Sequence, residues 1–225
     1  MIRELTYNNR ILSEQERVEF CEKSDEHINM FSECIEGICQ LADKIPKSEN
    51  SDYEKITNTI IEISTFTSYS FCDCIVLTKL FVRATNPYEK SFLRGKLKVQ
   101  LNESFKKLYG FSKKGYKDSY CAQLGTIITM FPGFKSEFDE LLSDLDQISK
   151  NSWWKDERDA EVHIDATKLY KLRHEEINES KIAMETVQLT DLFNRFNHLI
   201  SEMHRTLLNH MVVRYVKEHG IGDAI

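Results

Sequence analysis

Three residues in the last third of the chain have types and a spacing suited to acid–base chemistry on a phosphate. They are Arg158, Asp159 and His163. A histidine titrates near neutral pH, so His163 can accept a proton from a hydroxyl, and an arginine can bind a phosphate through two parallel hydrogen bonds. Residues four apart share a helix face, so Asp159 can orient the His163 ring. The pattern predicts a candidate catalytic site, and an ordinary surface pair is the alternative.

A helix must position these residues. Ser152 fits an N-cap, and no Gly or Pro interrupts the run from there to Tyr170. Five residues turn an ideal helix by about 140°. Arg158 therefore reaches the ligand of His163 only by bending its side chain or by acting across a subunit boundary.

A second candidate site lies in a segment with concentrated positive charge, residues 90–117. This segment has nine basic residues and one acidic residue, Glu103, in a chain with a formal net charge of −6. Such an asymmetry favours a local site for a polyanion, and a solvated helix face is the alternative. The stretch GFSKKG at 110–115 is predicted to be a flexible basic loop. The residues predicted to contact RNA are Lys106, Lys107, Lys113, Lys114 and Lys117.

The composition and the apolar spacing favour helices throughout. Hydrophobic residues make up 41% of the chain, and eight Gly with three Pro are few for a β-protein built on turns. Apolar residues recur at helical spacing, and the stretches starting at Ser13 and Ser51 fit capping boxes. The sequence predicts an all-α bundle of about six to eight helices with a long C-terminal core helix. The predicted helices span about 13–42, 51–84, 88–109, 119–131, 134–148 and 187–219, with the motif helix before the last.

Other features narrow the class of protein. The six cysteines show no CxxC spacing, so we expect reduced thiols, mostly packed as small apolar residues, and no metal site. The most apolar run, 64–82, carries Asp73 and Lys79, which argues against a membrane span. The start of the chain fits no signal peptide, so a cytoplasmic location is expected. Two parts are predicted, an N-terminal helical extension at 1–55 and a helical domain at 56–225.

The order of these features resembles the HEPN family of small helical proteins. Their signature is Arg, a polar residue, three further residues and His, which Arg158, Asp159 and His163 match. The Leu-Thr to Asn-Pro stretch at 77–87 and the long terminal helix are similar to the abortive-infection branch of the family. The resemblance covers about 60–215. Glu161 departs from it, since small or apolar residues are more usual before the histidine.

The resemblance implies a HEPN-like fold and a metal-independent endoribonuclease of the toxin or phage-defence type, without a cofactor. Arg158, Asp159 and His163 would be its catalytic residues. It also implies a homodimer that brings two motifs together, and an antitoxin or a nucleotidyltransferase as a partner. The alternative is a non-catalytic helical module that binds RNA, a nucleotide or a protein.

Overall fold

The computed structural model describes residues 11–44, 51–151 and 177–218, and this part of the chain contains helices and short connections without a β-strand. Its α-helices are α1 (Glu14–Lys44), α2 (Ser51–Arg83), α3 (Pro87–Leu108), α4 (Lys113–Lys117), α5 (Tyr120–Ile127), α6 (Lys135–Asn151) and α7 (Glu179–Glu218). Two short 3₁₀ helices, Ile128–Met130 and Pro132–Phe134, join α5 to α6. The predicted all-α class is confirmed.

Capping residues explain where the first and third helices begin. In the predicted capping box, the Ser13 N–H donates to Glu16 Oε2 at 2.6 Å and the Glu16 N–H donates to Ser13 Oγ at 3.3 Å. These bonds satisfy donors that a helix start leaves unpaired, and they lower the pKa of Glu16. Asn86 caps α3, while Pro87 takes the first helical position, where no N–H is needed.

The last helix begins at Glu179, before the predicted start at 187. Asn178 causes this early start, because its Oδ1 accepts the Lys181 N–H at 2.9 Å and so caps the first turn. The additional turns bring Ile182, which is buried, into the bundle.

Helices α2 and α7 share the centre of the bundle. α2 packs against α1, α3, α5 and α7, and α6 packs against α7. The predicted role of the last helix as a core helix is confirmed, because Phe193, Phe196, Leu199 and Met203 on its inner face are fully buried. The periodic apolar residues of α7 thus form the main contact with α2.

The first helix packs along α2 and shares its core. The rings of Phe31 in α1 and Phe71 in α2 stack with centroids 3.9 Å apart. Buried residues of α1 belong to the same apolar cluster as those of the other helices. The division into an extension at 1–55 and a domain at 56–225 stays a prediction.

The interface between α2 and α7 also contains a polar cluster. Thr67 Oγ1 donates to the carbonyl of Ile63, one turn earlier, at 2.9 Å, so this hydroxyl is satisfied within its own buried helix. Asn197 of α7 adds contacts that the sequence did not predict. Its Oδ1 accepts from Ser64 and shares the single proton of the Thr67 hydroxyl with the Ile63 carbonyl, and its Nδ2 donates to Ser68 Oγ at 3.1 Å. These bonds fix the register of the two central helices.

One stretch among the described helices, Glu54–Arg83 in α2, is long and apolar enough to cross a membrane by length and composition alone. Half of its most apolar window is buried within the bundle, and core helices of soluble proteins meet the same criterion. The expectation that the protein does not span a membrane stays a prediction.

Candidate nucleic-acid interface

The predicted catalytic residues Arg158, Asp159 and His163 lie outside the residues that the structure describes. Their mutual geometry therefore stays a prediction. The five lysines predicted to contact RNA are all described, and they define the site that the structure builds.

These five lysines are all exposed: Lys106 and Lys107 lie near the end of α3, and Lys113, Lys114 and Lys117 lie on α4. The Lys106 ammonium is 3.9 Å from the carboxylate of Glu103, an exposed pair that contributes little energy. The Lys107 ammonium lies 4.6 Å from the centre of the Tyr120 ring. Both lysines keep donors that face solvent, so each can contact a phosphate.

The GFSKKG segment is a compact turn. The loop prediction is wrong for its second half, because α4 begins at Lys113 and Ser112 Oγ caps it by accepting the Gly115 N–H at 3.0 Å. Gly110 has a φ of +82°, and a Cβ placed there would lie 2.5 Å from the carbonyl carbon of Gly115. Glycine alone fits both conditions. This close approach reverses the chain and presents the lysines of α4.

A cluster of aromatic rings supports this turn. The Phe105 ring lies 5.7 Å from Tyr109 and 5.0 Å from Phe111, and Tyr109 lies 5.5 Å from Tyr116. Burial raises the pKa of both tyrosine phenols, so they stay neutral at physiological pH. The rings anchor α4 to the end of α3.

Tyr120 joins this end of α3 to α2. Its hydroxyl donates to Glu62 Oε1 at 2.8 Å, and its ring lies 4.8 Å from Phe66. Burial is the main cause that raises the pKa of the phenol, and the hydrogen bond to Glu62 raises this pKa further. The phenol therefore stays protonated, and the face of its ring attracts the Lys107 ammonium.

The other basic residues of the segment divide between the surface and the interior. Lys96 is exposed. Lys90 is ion-paired within the bundle, and Arg94 and Lys98 are only 5% and 3% exposed. These last three residues therefore do not add to the exposed positive charge of the segment. Burial lowers the positive charge that a polyanion can reach.

Glu179, the first residue of α7, is a buried carboxylate that pairs with Lys90 of α3 and with Arg17 of α1. It is 3% exposed, its Oε1 accepts from Lys90, and its Oε2 accepts from Arg17. The Leu12 N–H also donates to Oε2 at 3.3 Å. Sequence reasoning missed this residue because its partners lie far away along the chain. The available signal was Asn178, whose N-cap position places Glu179 in the first helical turn.

The histidines of α7 are separated rather than clustered. His198 and His210 are exposed, His204 is half-buried, and burial lowers the pKa of His204. Across the three described ranges, no group of three or more His, Cys, Asp or Glu side chains could hold a metal ion.

All six cysteines are free thiols, as predicted. Cys74 and Cys121 are buried, whereas Cys34 and Cys39 are exposed. Burial raises the pKa of both buried thiols, and it raises the pKa of the half-buried Cys72 to about 11. The predicted packing of cysteines as small apolar residues therefore applies to the core pair and not to the exposed pair.

No protein-family model, curated protein or solved structure matches this chain. The HEPN resemblance stays a prediction from the motif and the helix order.

Proposed function

We propose that the protein binds RNA through the lysine surface, which consists of Lys106, Lys107, Lys113, Lys114 and Lys117. The observation that carries this proposal is that all five side chains are exposed on two consecutive helices. Ammonium groups bind phosphates as point charges and release the counterions that surround a nucleic acid. The conformation of the turn at Gly110 is fixed in the unbound protein, so less conformational entropy is lost when RNA binds.

The overall charge limits what this surface can hold. A net charge of −6 repels a polyanion that covers much of the protein, whereas a strand in contact with the lysine surface meets a locally positive field. The Debye length is about 8 Å at physiological salt, so nearby charges dominate the interaction. These properties favour a short RNA segment over a long duplex.

Charge reversal tests the proposal. The variant carries Lys106→Glu, Lys107→Glu, Lys113→Glu and Lys114→Glu, and its affinity for a fluorescein-labelled RNA is measured by anisotropy. We expect binding to be lost, because four phosphate contacts become repulsive.

A matched control reverses four basic residues elsewhere: Lys23, Lys55, Lys181 and Arg205. Lys23, Lys181 and Arg205 form ion pairs with neighbours on the same helix that contribute little, and Lys55 is exposed. The control should therefore keep its fold, and it carries the same net charge as the test variant. If both variants bind RNA with equal affinity, the lysine surface is not the binding site.

Cleavage of the bound RNA is the second candidate function, favoured by the Arg158, Asp159 and His163 motif. His163, oriented by Asp159, would remove the proton of a ribose 2′-hydroxyl, and the 2′-oxygen would attack the adjacent phosphorus. Arg158 would bind the scissile phosphate and stabilise its developing charge. The 5′-oxygen leaves and gains a proton from water, and the product is a 2′,3′-cyclic phosphate.

Incubation of single-stranded RNA and transfer RNA with the purified protein in EDTA tests this second function. We expect cleavage by the wild type and loss of cleavage with Arg158→Ala and with His163→Ala. Cleavage that either substitution leaves unchanged, or that requires added metal, contradicts the assignment.

A homodimer would bring two copies of the motif together around a twofold axis. On one ideal helix, Arg158 and His163 would be about 140° apart around the axis. In a dimer, Arg158 of one subunit could reach the ligand of His163 in the other. Light scattering at micromolar concentration should give twice the chain mass of 26.4 kDa. A monomer mass would contradict the dimer. It would not bear on RNA binding by the lysine surface, which the charge-reversal variant tests.

A further inference from the structure

The outer face of α3 extends from the lysine surface towards the start of the helix. At 100° per residue, the five residues Tyr88, Phe92, Lys96, Lys106 and Lys107 fall within about 100° of one another around the helix axis. All five are exposed. The aromatic and basic side chains therefore share one face, and Lys90, Arg94 and Lys98 lie on the opposite side.

Two aromatic side chains on this face are unusually exposed. Tyr88 is 74% exposed and Phe92 is 42% exposed, and one helical turn separates them. Exposed rings forgo the burial that normally stabilises an aromatic residue in a folded protein. Unpaired bases stack on such rings, and each stacked base changes affinity by about five- to 150-fold.

Charge accompanies the rings along the helix. The Lys96 ammonium lies 5.3 Å from the centre of the Phe92 ring, so a base stacked on this ring would have its phosphate near a cation. From Tyr88 to Lys107 the helix rises about 28 Å, which is roughly eight nucleotides at the 3.4 Å spacing of a stacked strand. This length falls within the range of about 4–16 nucleotides that single-strand binding folds cover.

We infer that the RNA bound by this protein is single-stranded, with bases stacked on Tyr88 and Phe92 and phosphates held by Lys96 and the lysine surface. The inference rests on the proposed function. A duplex keeps its bases paired and stacked on each other, so it can meet the lysines but not the rings. Stacking also tolerates every base, so binding depends weakly on sequence.

The experiment compares a labelled 12-nucleotide single strand with a blunt duplex of the same sequence. Anisotropy is measured with the wild type, Tyr88→Ala, Phe92→Ala and the ring-preserving Tyr88→Phe. Leu208→Ala is the control, because Leu208 is 40% exposed on α7. We expect each alanine variant on α3 to bind the single strand at least about fivefold more weakly. Tyr88→Phe and Leu208→Ala should match the wild type, and the wild type should prefer the single strand.

The outcomes separate this inference from the proposed function. If wild type binds no RNA, the proposed function fails and the inference fails with it. If charge reversal of the lysine surface abolishes binding while Tyr88→Ala and Phe92→Ala leave it unchanged, the stacking inference alone is overturned. Alanine variants that change the mass in light scattering but not the RNA affinity also overturn it, because the rings would then contact a protein.

Discussion

Two groups of basic residues lie in opposite environments in this bundle, since one group is enclosed and the other is exposed. Around Glu179, Lys90 and Arg17 are enclosed and share one carboxylate. At the end of α3 and on α4, the lysine surface faces solvent, and its one described acidic contact is the weak pair between Lys106 and Glu103. The first group ties the N-terminal end of α1 to α3 and α7, and the second is available to a ligand.

Burial determines whether a basic residue contributes to the stability of the fold or to the binding of a ligand. A buried charge requires a counter-charge, so removing its partner is expensive, whereas an exposed lysine contributes little to stability. An exposed lysine instead contributes to the electrostatic field that a polyanion meets. Substitutions in the two groups should therefore change different observables.

The largest expected effect is on stability at Glu179. Glu179→Gln preserves the shape of the side chain and leaves Arg17 and Lys90 without their carboxylate, which should lower the free energy of unfolding by about 3–5 kcal/mol. Urea denaturation followed by circular dichroism measures it. Asp139→Asn breaks the exposed pair with Lys135 and should cost less than about 1 kcal/mol. Equal costs for the two variants would show that the Glu179 cluster is not a buried ion pair in solution.

A smaller effect is expected where the chain turns to present the lysine surface. Gly110→Ala places a Cβ against the backbone of Gly115 at a positive φ, so it should destabilise the protein by about 1–3 kcal/mol. Gly37→Ala is the matched control, because a Cβ there meets no atom within 4 Å. It lies inside α1 and should stabilise by about 0.5–1 kcal/mol. Thermal unfolding distinguishes the two signs, and a stabilising Gly110→Ala would contradict the geometry of the turn.

The smallest expected effect on stability lies in the lysine surface itself. The combined variant Lys113→Gln, Lys114→Gln and Lys117→Gln should change the free energy of unfolding by less than about 0.5 kcal/mol, because the side chains are exposed. Urea denaturation beside wild type provides the measurement. A larger loss would place these lysines in a structural role like that of the Glu179 cluster.

Local signals allowed much of the fold to be predicted from the sequence. The capping box at Ser13 and the Asn86-Pro87 pair fix helix ends through bonds within a few residues, and the periodic apolar residues identify the core side of α7. The burial of Lys98 but not of Lys96 could not be predicted in the same way. It depends on how α3 is oriented in the bundle, and that orientation is set by contacts between distant residues.

The candidate site shows the same limit. Exposure of the lysine surface followed from residue type, since lysines are seldom buried. The turn that presents it was mistaken for a loop, because the close approach of Gly110 to Gly115 is a property of three-dimensional packing. The exposure of Tyr88 and Phe92 was not predicted, because an aromatic residue in a helix is expected to face the core.

The salt dependence of RNA binding tests the central claim most directly. The affinity for the 12-nucleotide single strand is measured by anisotropy from 50 to 300 mM KCl, for wild type and for the variant with Lys113→Gln, Lys114→Gln and Lys117→Gln. If Lys96 and the five lysines each neutralise a phosphate, the logarithm of the affinity should fall against the logarithm of salt with a slope of about −4.2, and the variant should be shallower by about 2. Equal slopes for the two proteins would contradict RNA binding by the lysine surface.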